Sequence, residues 1–201
     1  MSHYFHTPEG PEHRREVHAV IWDLDYDFVS ADGVFSGSRL DPGTAVLFRE
    51  TEPPADSTRL LDLGCGFGPI AVALARSVPD ARVDAVDVNE RALELTRLNA
   101  RRYGVDARVS VGTPDAVDPG TRYDEIWSNP PIRIGKPALH DLLTSWLPRL
   151  APGGVARLVV GKNLGADSLA RWLSDQGWDV TRAASAKGFR VLEVRPGDAP
   201  G

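Results

Sequence analysis

The sequence contains little cysteine and no long apolar run. Its single cysteine excludes an intrachain disulfide. No apolar run approaches the roughly 20 residues that a transmembrane helix needs, and the polar stretch 1–11 lacks the apolar core of a signal peptide. The five histidines show no spacing typical of metal ligands. From these absences we expect a cytoplasmic protein with no membrane partner and no bound metal.

Positive charge is scarce as well. The 201 residues carry a net charge of −5, which argues against a general nucleic-acid-binding protein, because such proteins usually present a basic face. The three lysines, Lys136, Lys162 and Lys187, all lie in the last third of the chain. With 42% apolar and 25% charged residues, the composition is typical of one globular domain with a sizeable core.

A glycine-rich stretch is the most informative local pattern. The apolar run 59–63 leads into three glycines at alternate positions, Gly64, Gly66 and Gly68, and an apolar helical pattern follows. We interpret this as a buried strand, a tight turn and the start of a helix. Glycine lets the backbone turn sharply and lets a ligand approach without a Cβ in the way. The plain alternative is a glycine-rich turn in some α/β domain.

Spacing separates this turn from the dinucleotide fingerprint G-x-G-x-x-G. That fingerprint needs glycine at position 69, which is Pro69, whereas the third glycine is Gly68. Asp62 followed by G-x-G-x-G resembles the first motif of class I S-adenosylmethionine (SAM) methyltransferases. SAM has no pyrophosphate to place at a helix N-terminus, and an acidic neighbour such as Asp62 suits its sulfonium cation. An NAD(P) oxidoreductase is therefore a distant alternative.

The order of predicted elements indicates an α/β fold. Strand and helix patterns alternate along most of the chain, which is typical of a mostly parallel sheet covered by helices on both faces. Seven core strands are expected, among them 59–63, 82–86 and 155–160, and a helix over 137–150 and a glycine loop at 152–154 precede the last of these. The two final strands, 178–184 and 189–194, should pair as a hairpin and add one antiparallel strand. We expect residues 1–57 to form an arm, a β-hairpin and a helix capped by Asp41. Residues 58–201 are the predicted SAM-binding core.

Candidate binding residues fall where the parallel strands end, and ligands bind beyond those ends in such sheets. Asp87 ends a strand about 20 residues after the glycine turn, where a carboxylate can accept hydrogen bonds from both ribose hydroxyls. Val88 can pack on adenine. We also assign Gly112 and Thr113 to the cofactor site, although the nearest acid for the adenine amino group is Asp115. All these positions converge on one edge of the predicted sheet.

The segment Asn129-Pro130-Pro131-Ile132 carries the second chemical signal. Proline restricts the residue before it, so we expect Asn129 to be extended. Its side-chain oxygen and a nearby backbone carbonyl can both accept from one –NH₂ group, which stabilises the charge that develops as a delocalised amino nitrogen attacks a methyl group. We predict that Asn129, Pro130, Pro131 and Ile132 are catalytic and that Asn129 also contacts the cofactor. The plain alternative is an Asn-Pro turn.

Together these motifs resemble the amino-group N-methyltransferases. More narrowly, the chain is similar to the methyltransferase small-domain family of guanine-N2 methyltransferases of small-subunit ribosomal RNA, and the similar segments are His3-Tyr4-Phe5, Gly33-Val34-Phe35-Ser36, Asp41-Pro42-Gly43-Thr44, 129–136, His140 and 187–192. The resemblance implies a three-layer, Rossmann-like class I methyltransferase fold with SAM as cofactor. It also implies that Gly43 and Thr44 lie near the SAM tail, that Asn129 binds the target nitrogen, and that ribosomal RNA or the small subunit is the partner.

Basic side chains near these motifs suit an RNA substrate. The predicted phosphate contacts, whose plain alternative is scattered solvated charge, are Arg133, Lys136, Lys162, Lys187 and Arg190. Two other functions stay open. The same chemistry could act on a small molecule or a protein glutamine, and a SAM-binding module could have lost catalysis altogether.

Overall fold

The computed structural model describes residues 13–34, 39–131 and 134–197. Some of the residues singled out in the sequence lie outside these ranges, namely His3-Tyr4-Phe5, Phe35-Ser36, Ile132 and Arg133. In chain order the elements are β1 (Arg14–Ile21), β2 (Leu24–Ala31), α1 (Pro42–Arg49), β3 (Arg59–Leu63), α2 (Pro69–Ser77), β4 (Arg82–Val86), α3 (Glu90–Arg102), β5 (Val109–Gly112), β6 (Tyr123–Ser128), α4 (Lys136–Trp146), β7 (Leu150–Gly161), α5 (Ala166–Asp175), β8 (Trp178–Ala186) and β9 (Phe189–Pro196).

The central sheet has seven strands in the order β5-β4-β3-β6-β7-β9-β8. Strand β9 runs antiparallel to both of its neighbours, and the other pairings are parallel. This confirms the predicted mostly parallel sheet with one antiparallel strand. In the described part of the chain, no helix is long and apolar enough to span a membrane.

Alternate residues of the central strands enter two separate apolar cores. In β3, Leu60 packs into the core formed with β1, β2, α1, α2 and α3, whereas Leu61 packs into the core formed with α4 and α5. Side chains of a strand alternate between faces, so a strand covered on both sides carries apolar residues on both of its faces. The result is three layers, with helices covering both faces of the sheet.

The structure corrects two predicted boundaries. The helix expected over 137–150 ends at Trp146 and continues as a 3₁₀ turn over Leu147–Arg149, because Pro148 has no N–H to donate to the preceding turn. Strand β7 begins at Leu150 rather than at 155 and includes the predicted glycine loop. A Cβ at Gly154 would lie only 2.9 Å from the Asp124 carbonyl oxygen, so glycine is needed there.

The hairpin of β1 and β2 packs against α3. Its two turn residues, Trp22 and Asp23, have φ of 48° and 62°, the left-handed conformation that two-residue hairpins require. On α3, the buried Asn99 accepts a hydrogen bond from the Val29 N–H at 2.8 Å and donates to the Val29 and Phe67 carbonyls at 2.9 and 2.8 Å. One side chain thus joins the hairpin to the glycine turn.

Candidate active site

A cavity of about 650 Å³ lies at the carboxyl edge of the parallel strands. The ends of β3, β4 and β6 contribute to its wall, Gly33 and Val34 close one side, and α4 supplies much of the opposite side. This is the edge where we predicted the binding residues to converge. In the described ranges, no group of three or more His, Cys, Asp or Glu side chains is placed to hold a metal ion.

The glycine turn forms the floor of the cavity with its backbone. Gly64 and Gly66 line the cavity with φ of 79° and 56°. The Gly64 N–H donates to the Val86 carbonyl at 2.9 Å and so ties the turn to the end of β4. Gly68, with φ of 87°, does not line the cavity and packs against Thr96 of α3 instead. Two of the three predicted glycines therefore face the ligand space, and the third supports the helix packing.

Asp62 is fully buried behind the turn. Its Oδ2 accepts from the Ala71 N–H at 2.9 Å, and its Oδ1 has no hydrogen-bond partner among the described residues. Burial raises the pKa of this carboxyl to about 8. Because Asp62 is not part of the cavity wall, the structure places it where it holds α2 to β3. A direct contact with the cofactor stays a prediction.

Asp87 lines the cavity, as predicted for a ribose ligand. Its Oδ2 accepts from the Gly66 N–H at 3.0 Å and its Oδ1 accepts from the Asn89 N–H at 2.9 Å. Burial, the largest influence, raises the pKa of Asp87. Each oxygen keeps a further lone pair for a ligand hydroxyl. Val88, which is 46% exposed, lies next to it on the wall.

After β5 the chain reaches the cavity wall two residues later than the positions that we assigned to the cofactor site. Gly112 and Thr113 do not line the cavity, and the next two residues, Pro114 and Asp115, do. A 3₁₀ turn over Pro114–Ala116 brings that pair forward. Asp115 is therefore the acid that the end of β5 brings to the wall, and a cofactor contact of Gly112 and Thr113 stays a prediction.

Asn129 lies at the end of β6, and its amide is held in one orientation. The Nδ2 donates to Asp41 Oδ1 at 2.6 Å and to Thr44 Oγ1 at 3.0 Å. Both amide protons are thereby used, which leaves Oδ1 as the atom that can accept from a ligand. Asn129 and Pro131 line the cavity, and Ile132 lies outside the described residues.

Gly43 and Thr44 occupy the first turn of α1, behind Asn129 rather than on the cavity wall. A Cβ added to Gly43 would lie 3.3 Å from Asn129 Oδ1 and 3.1 Å from Phe189 Cε1. Both distances are shorter than ordinary carbon contacts. Glycine at this position therefore lets α1 approach the Asn129 amide. Their predicted place near the SAM tail stays a prediction.

Three of the predicted phosphate contacts are exposed at this edge. Lys136 begins α4, and the Lys162 N–H donates to the Gly188 carbonyl at 2.7 Å, so Lys162 lies beside the turn that contains Lys187. Arg190 is different, because it is 8% exposed and its Nη1 lies 2.7 Å from Asp167 Oδ1. We therefore omit Arg190 from the RNA-contacting group. Arg133 lies outside the described residues.

Sequence reasoning missed several residues that shape the site. Asp41 was predicted only as a helix cap, and Asn99 and the wall residues of α4 were not singled out. The wall residues of α4 are Ala138, Asp141, Leu142, Ser145 and Trp146. A role for Asp41 in the site could have been predicted from the sequence, since Asp41 lies in a segment that resembles the family. Asn99 had no such signal, because other polar residues, Arg91 and Thr96, are buried on α3 as well.

Comparison with known proteins decides the family. The sequence matches the family described as "Methyltransferase small domain" over residues 25–193. The chain belongs to this family. A relative from Bacillus subtilis, "Uncharacterized protein YbxB", is 31% identical over 198 residues, covering 96% of this chain and 98% of that protein. As a member of the family, the chain is a SAM-dependent methyltransferase.

Relatives with a named reaction are longer. "Ribosomal RNA small subunit methyltransferase C" of Ectopseudomonas mendocina is 36% identical over 171 residues, which cover 83% of this chain and 50% of that protein. The chain thus spans about half the length of these curated relatives. A solved structure, "T. Thermophilus 16S rRNA N2 G1207 methyltransferase (RsmC) in complex with AdoMet and Guanosine", superposes with a TM-score of 0.74. At 23% identity, covering 93% of this chain and 52% of that one, it shows the shared fold.

The residues on the cavity wall fit SAM. Gly64 and Gly66 leave room for a ligand against the backbone, Asp87 has lone pairs for two ribose hydroxyls, and Val88 exposes an apolar surface beside them. The cavity volume of about 650 Å³ is within the usual range for small-molecule sites.

Proposed function

We propose that this methyltransferase acts on the exocyclic N2 amino group of a guanine in small-subunit ribosomal RNA. The observation that carries the proposal is the orientation of the Asn129 amide. With both of its protons donated to Asp41 and Thr44, Asn129 can offer only an acceptor to the cavity. An acceptor is what a planar –NH₂ group needs, because that group is a donor. A carboxylate substrate has no proton to donate to such an acceptor, and a hydroxyl has one where an –NH₂ group has two.

The chain's own residues suit this transfer. When bound, SAM supplies an electrophilic methyl group. Asp87 and the backbone of Gly64 and Gly66 would hold the cofactor, and Asn129 would accept one proton of the amino group. That hydrogen bond orients the nitrogen and stabilises the positive charge that grows on it as it attacks. The proton then leaves to water after transfer, so no strong base is needed.

The RNA class is supported by charge and by the relatives. The overall charge is −5, yet Lys136, Lys162 and Lys187 lie at the edge that holds the cavity. Lysines at the rim can contact phosphates even though the net charge of the whole chain is negative. Two of the relatives named for small-subunit ribosomal RNA, from Ectopseudomonas mendocina and Pseudomonas aeruginosa, match more than 80% of this chain's length.

The test is transfer of tritiated methyl groups from SAM to four acceptors in parallel: small subunits, large subunits, deproteinised ribosomal RNA and a small-molecule extract. Each assay includes Asn129→Ala and the matched control Asn163→Ala, an exposed asparagine away from the cavity wall. We expect label in small-subunit RNA, lost in Asn129→Ala and kept in Asn163→Ala.

Other outcomes discriminate between the alternatives. Label confined to protein or to small molecules would overturn the ribosomal substrate while keeping the amino-group chemistry. Equal activity of Asn129→Ala and the wild type would overturn the role of Asn129. Digestion of labelled RNA to nucleosides then identifies the methylated atom, and any product other than N2-methylguanosine would contradict the proposal.

A further inference from the structure

We propose that Asp41 is a positioning residue for methyl transfer, because it fixes which end of the Asn129 amide faces the substrate. The inference rests on the proposed function, in which Asn129 accepts a proton of the target amino group. It concerns a residue 88 positions away in the sequence, in the segment before the SAM-binding core.

The contact between the two side chains is short and direct. Asn129 Nδ2 lies 2.6 Å from Asp41 Oδ1, at the short end of the range for a hydrogen bond to a carboxylate. A carboxylate can only accept, so the atom of Asn129 that faces it must be the nitrogen. The oxygen of the amide is then left to accept from another donor.

The second partner of Asn129 cannot impose this polarity. The Thr44 hydroxyl, 3.0 Å from Nδ2, can act as donor or acceptor and would satisfy either orientation of the amide. Without Asp41, rotation of the Asn129 amide by 180° would therefore cost little on the protein side. The rotated amide would present its own –NH₂ to the substrate –NH₂, two donors facing each other.

Asp41 is itself held in place by the start of α1. The same Oδ1 accepts from the Gly43 N–H at 2.8 Å and from the Thr44 N–H at 3.1 Å, as an N-cap does. The carboxylate therefore cannot turn away without uncapping the helix. The absence of a Cβ at Gly43 lets this turn lie against the Asn129 amide oxygen.

Capping and positioning can be separated by the choice of substitution. Serine and asparagine cap helices about as well as aspartate. Asparagine keeps an oxygen at the same reach as the carboxylate, whereas the serine hydroxyl is shorter and can also donate. A capping role alone predicts equal activity for Asp41→Asn and Asp41→Ser. The positioning role predicts that Asp41→Asn keeps most of the activity and Asp41→Ser loses it.

The experiment measures kcat, the KM for RNA, the Kd for SAM and the thermal unfolding midpoint for these two variants and the wild type. We expect Asp41→Ser to lower kcat about 100-fold, the usual effect of a misplaced reacting group, with SAM affinity unchanged. Asp41→Asn should stay within about fivefold of the wild type. Wild-type kcat in Asp41→Ser would overturn the proposal. If Asp41→Ser does not fold, Asp41→Thr, also a capping residue, replaces it with the same expectation.

A double variant distinguishes this proposal from the proposed function. In the Asn129→Ala background, Asp41→Ser should cause no further loss of kcat, because the side chain that it positions is gone. An additive loss would contradict the positioning role. Full activity of Asn129→Ala would instead overturn the proposed function itself, whatever the Asp41 variants do.

Discussion

The two sides of the cavity are built in different ways. On the cofactor side, the backbone of the glycine turn and the carboxylate of Asp87 come from consecutive strands, and neighbouring backbone N–H groups hold that carboxylate. On the acceptor side, Asn129 is held by the side chains of Asp41 and Thr44, more than 80 residues away. The cofactor side is built from segments that are close in the sequence, and it depends on the conformation of the backbone. The acceptor side is assembled from segments that are distant in the sequence, and it depends on the polarity of side chains.

This difference predicts how each side fails. The backbone of the glycine turn is continuous with the packed core. Substitutions on the cofactor side should therefore lower the free energy of unfolding or the affinity for SAM. The polar side chains on the acceptor side orient only the Asn129 amide. Substitutions there should therefore lower kcat and leave stability and SAM binding nearly intact. The following predictions, from the largest effect to the smallest, test the cofactor half of this contrast.

Gly68→Ala should cause the largest loss of stability. A Cβ at Gly68 would lie 2.8 Å from Thr96 Cγ2 and 3.1 Å from Thr96 Cα, and φ is 87°. We expect the free energy of unfolding to fall by about 3 kcal/mol or more, from strain and overpacking together. The control is Gly104→Ala, where φ is 65° and nothing lies within 4 Å, with a loss of about 1 kcal/mol. Urea unfolding that gave equal losses would contradict this interpretation.

Asp87→Ala should weaken SAM binding strongly. The substitution removes a carboxylate with free lone pairs on the cavity wall and releases the Gly66 N–H. Hydrogen bonds to a charged group contribute about 1.5–3 kcal/mol each, so we expect the Kd for SAM to rise about 100-fold. Calorimetric titration measures it, with the exposed Asp80→Ala as a control. A Kd within threefold of the wild type would remove Asp87 from the cofactor site.

Asp62→Asn should change how stability depends on pH. The folded pKa of Asp62 is raised to about 8, against about 3.9 in an unfolded chain. Between these values the folded state holds a proton that the unfolded state has lost, so Asp62 makes stability fall as pH rises. The slope is at most about 1.4 kcal/mol per pH unit. Urea unfolding at pH 5 and 7.5 should show a shallower decline in Asp62→Asn, and parallel curves would contradict the assignment.

Val88→Ala should have the smallest effect. Val88 is 46% exposed, so its truncation should change the free energy of unfolding by less than about 0.5 kcal/mol. If the side chain packs on adenine, losing two methyl groups should raise the Kd for SAM about threefold to tenfold. Val20→Ala, at a 63% exposed position on the hairpin, is the matched control. Unchanged SAM affinity would leave Val88 without a role in binding.

Local patterns predicted the sheet and the cofactor side well. The strands Arg59–Leu63 and Arg82–Val86 match the predicted bounds, because each is a short buried run that ends at a turn or an acid. Asp87 and the glycine turn follow those strands directly. Chain order is enough to place such residues, since parallel strands bring their carboxyl ends to one edge.

Long-range side-chain contacts could not be predicted in the same way. The capping role of Asp41 was visible in Asp41-Pro42, whereas its bond to Asn129 depends on how α1 packs against the end of β6. Likewise, Arg190 was expected at a charged rim because spacing does not show which face of β9 a side chain occupies. Its partner Asp167 lies on α5, which covers that face. Such contacts depend on tertiary packing, which no local pattern encodes.

The bridge made by Asn99 bears on the order in which the chain can fold during synthesis. A two-stranded hairpin is marginally stable alone, and the main-chain groups of Val29 find their partner seventy residues later, on α3. The hairpin is therefore made early and stabilised late. We expect nascent chains stalled before Asn99 emerges from the ribosome to be cut readily by protease within β1 and β2. Chains stalled well after α3 should resist. Resistance of both kinds of chain would show that the hairpin is stable without Asn99.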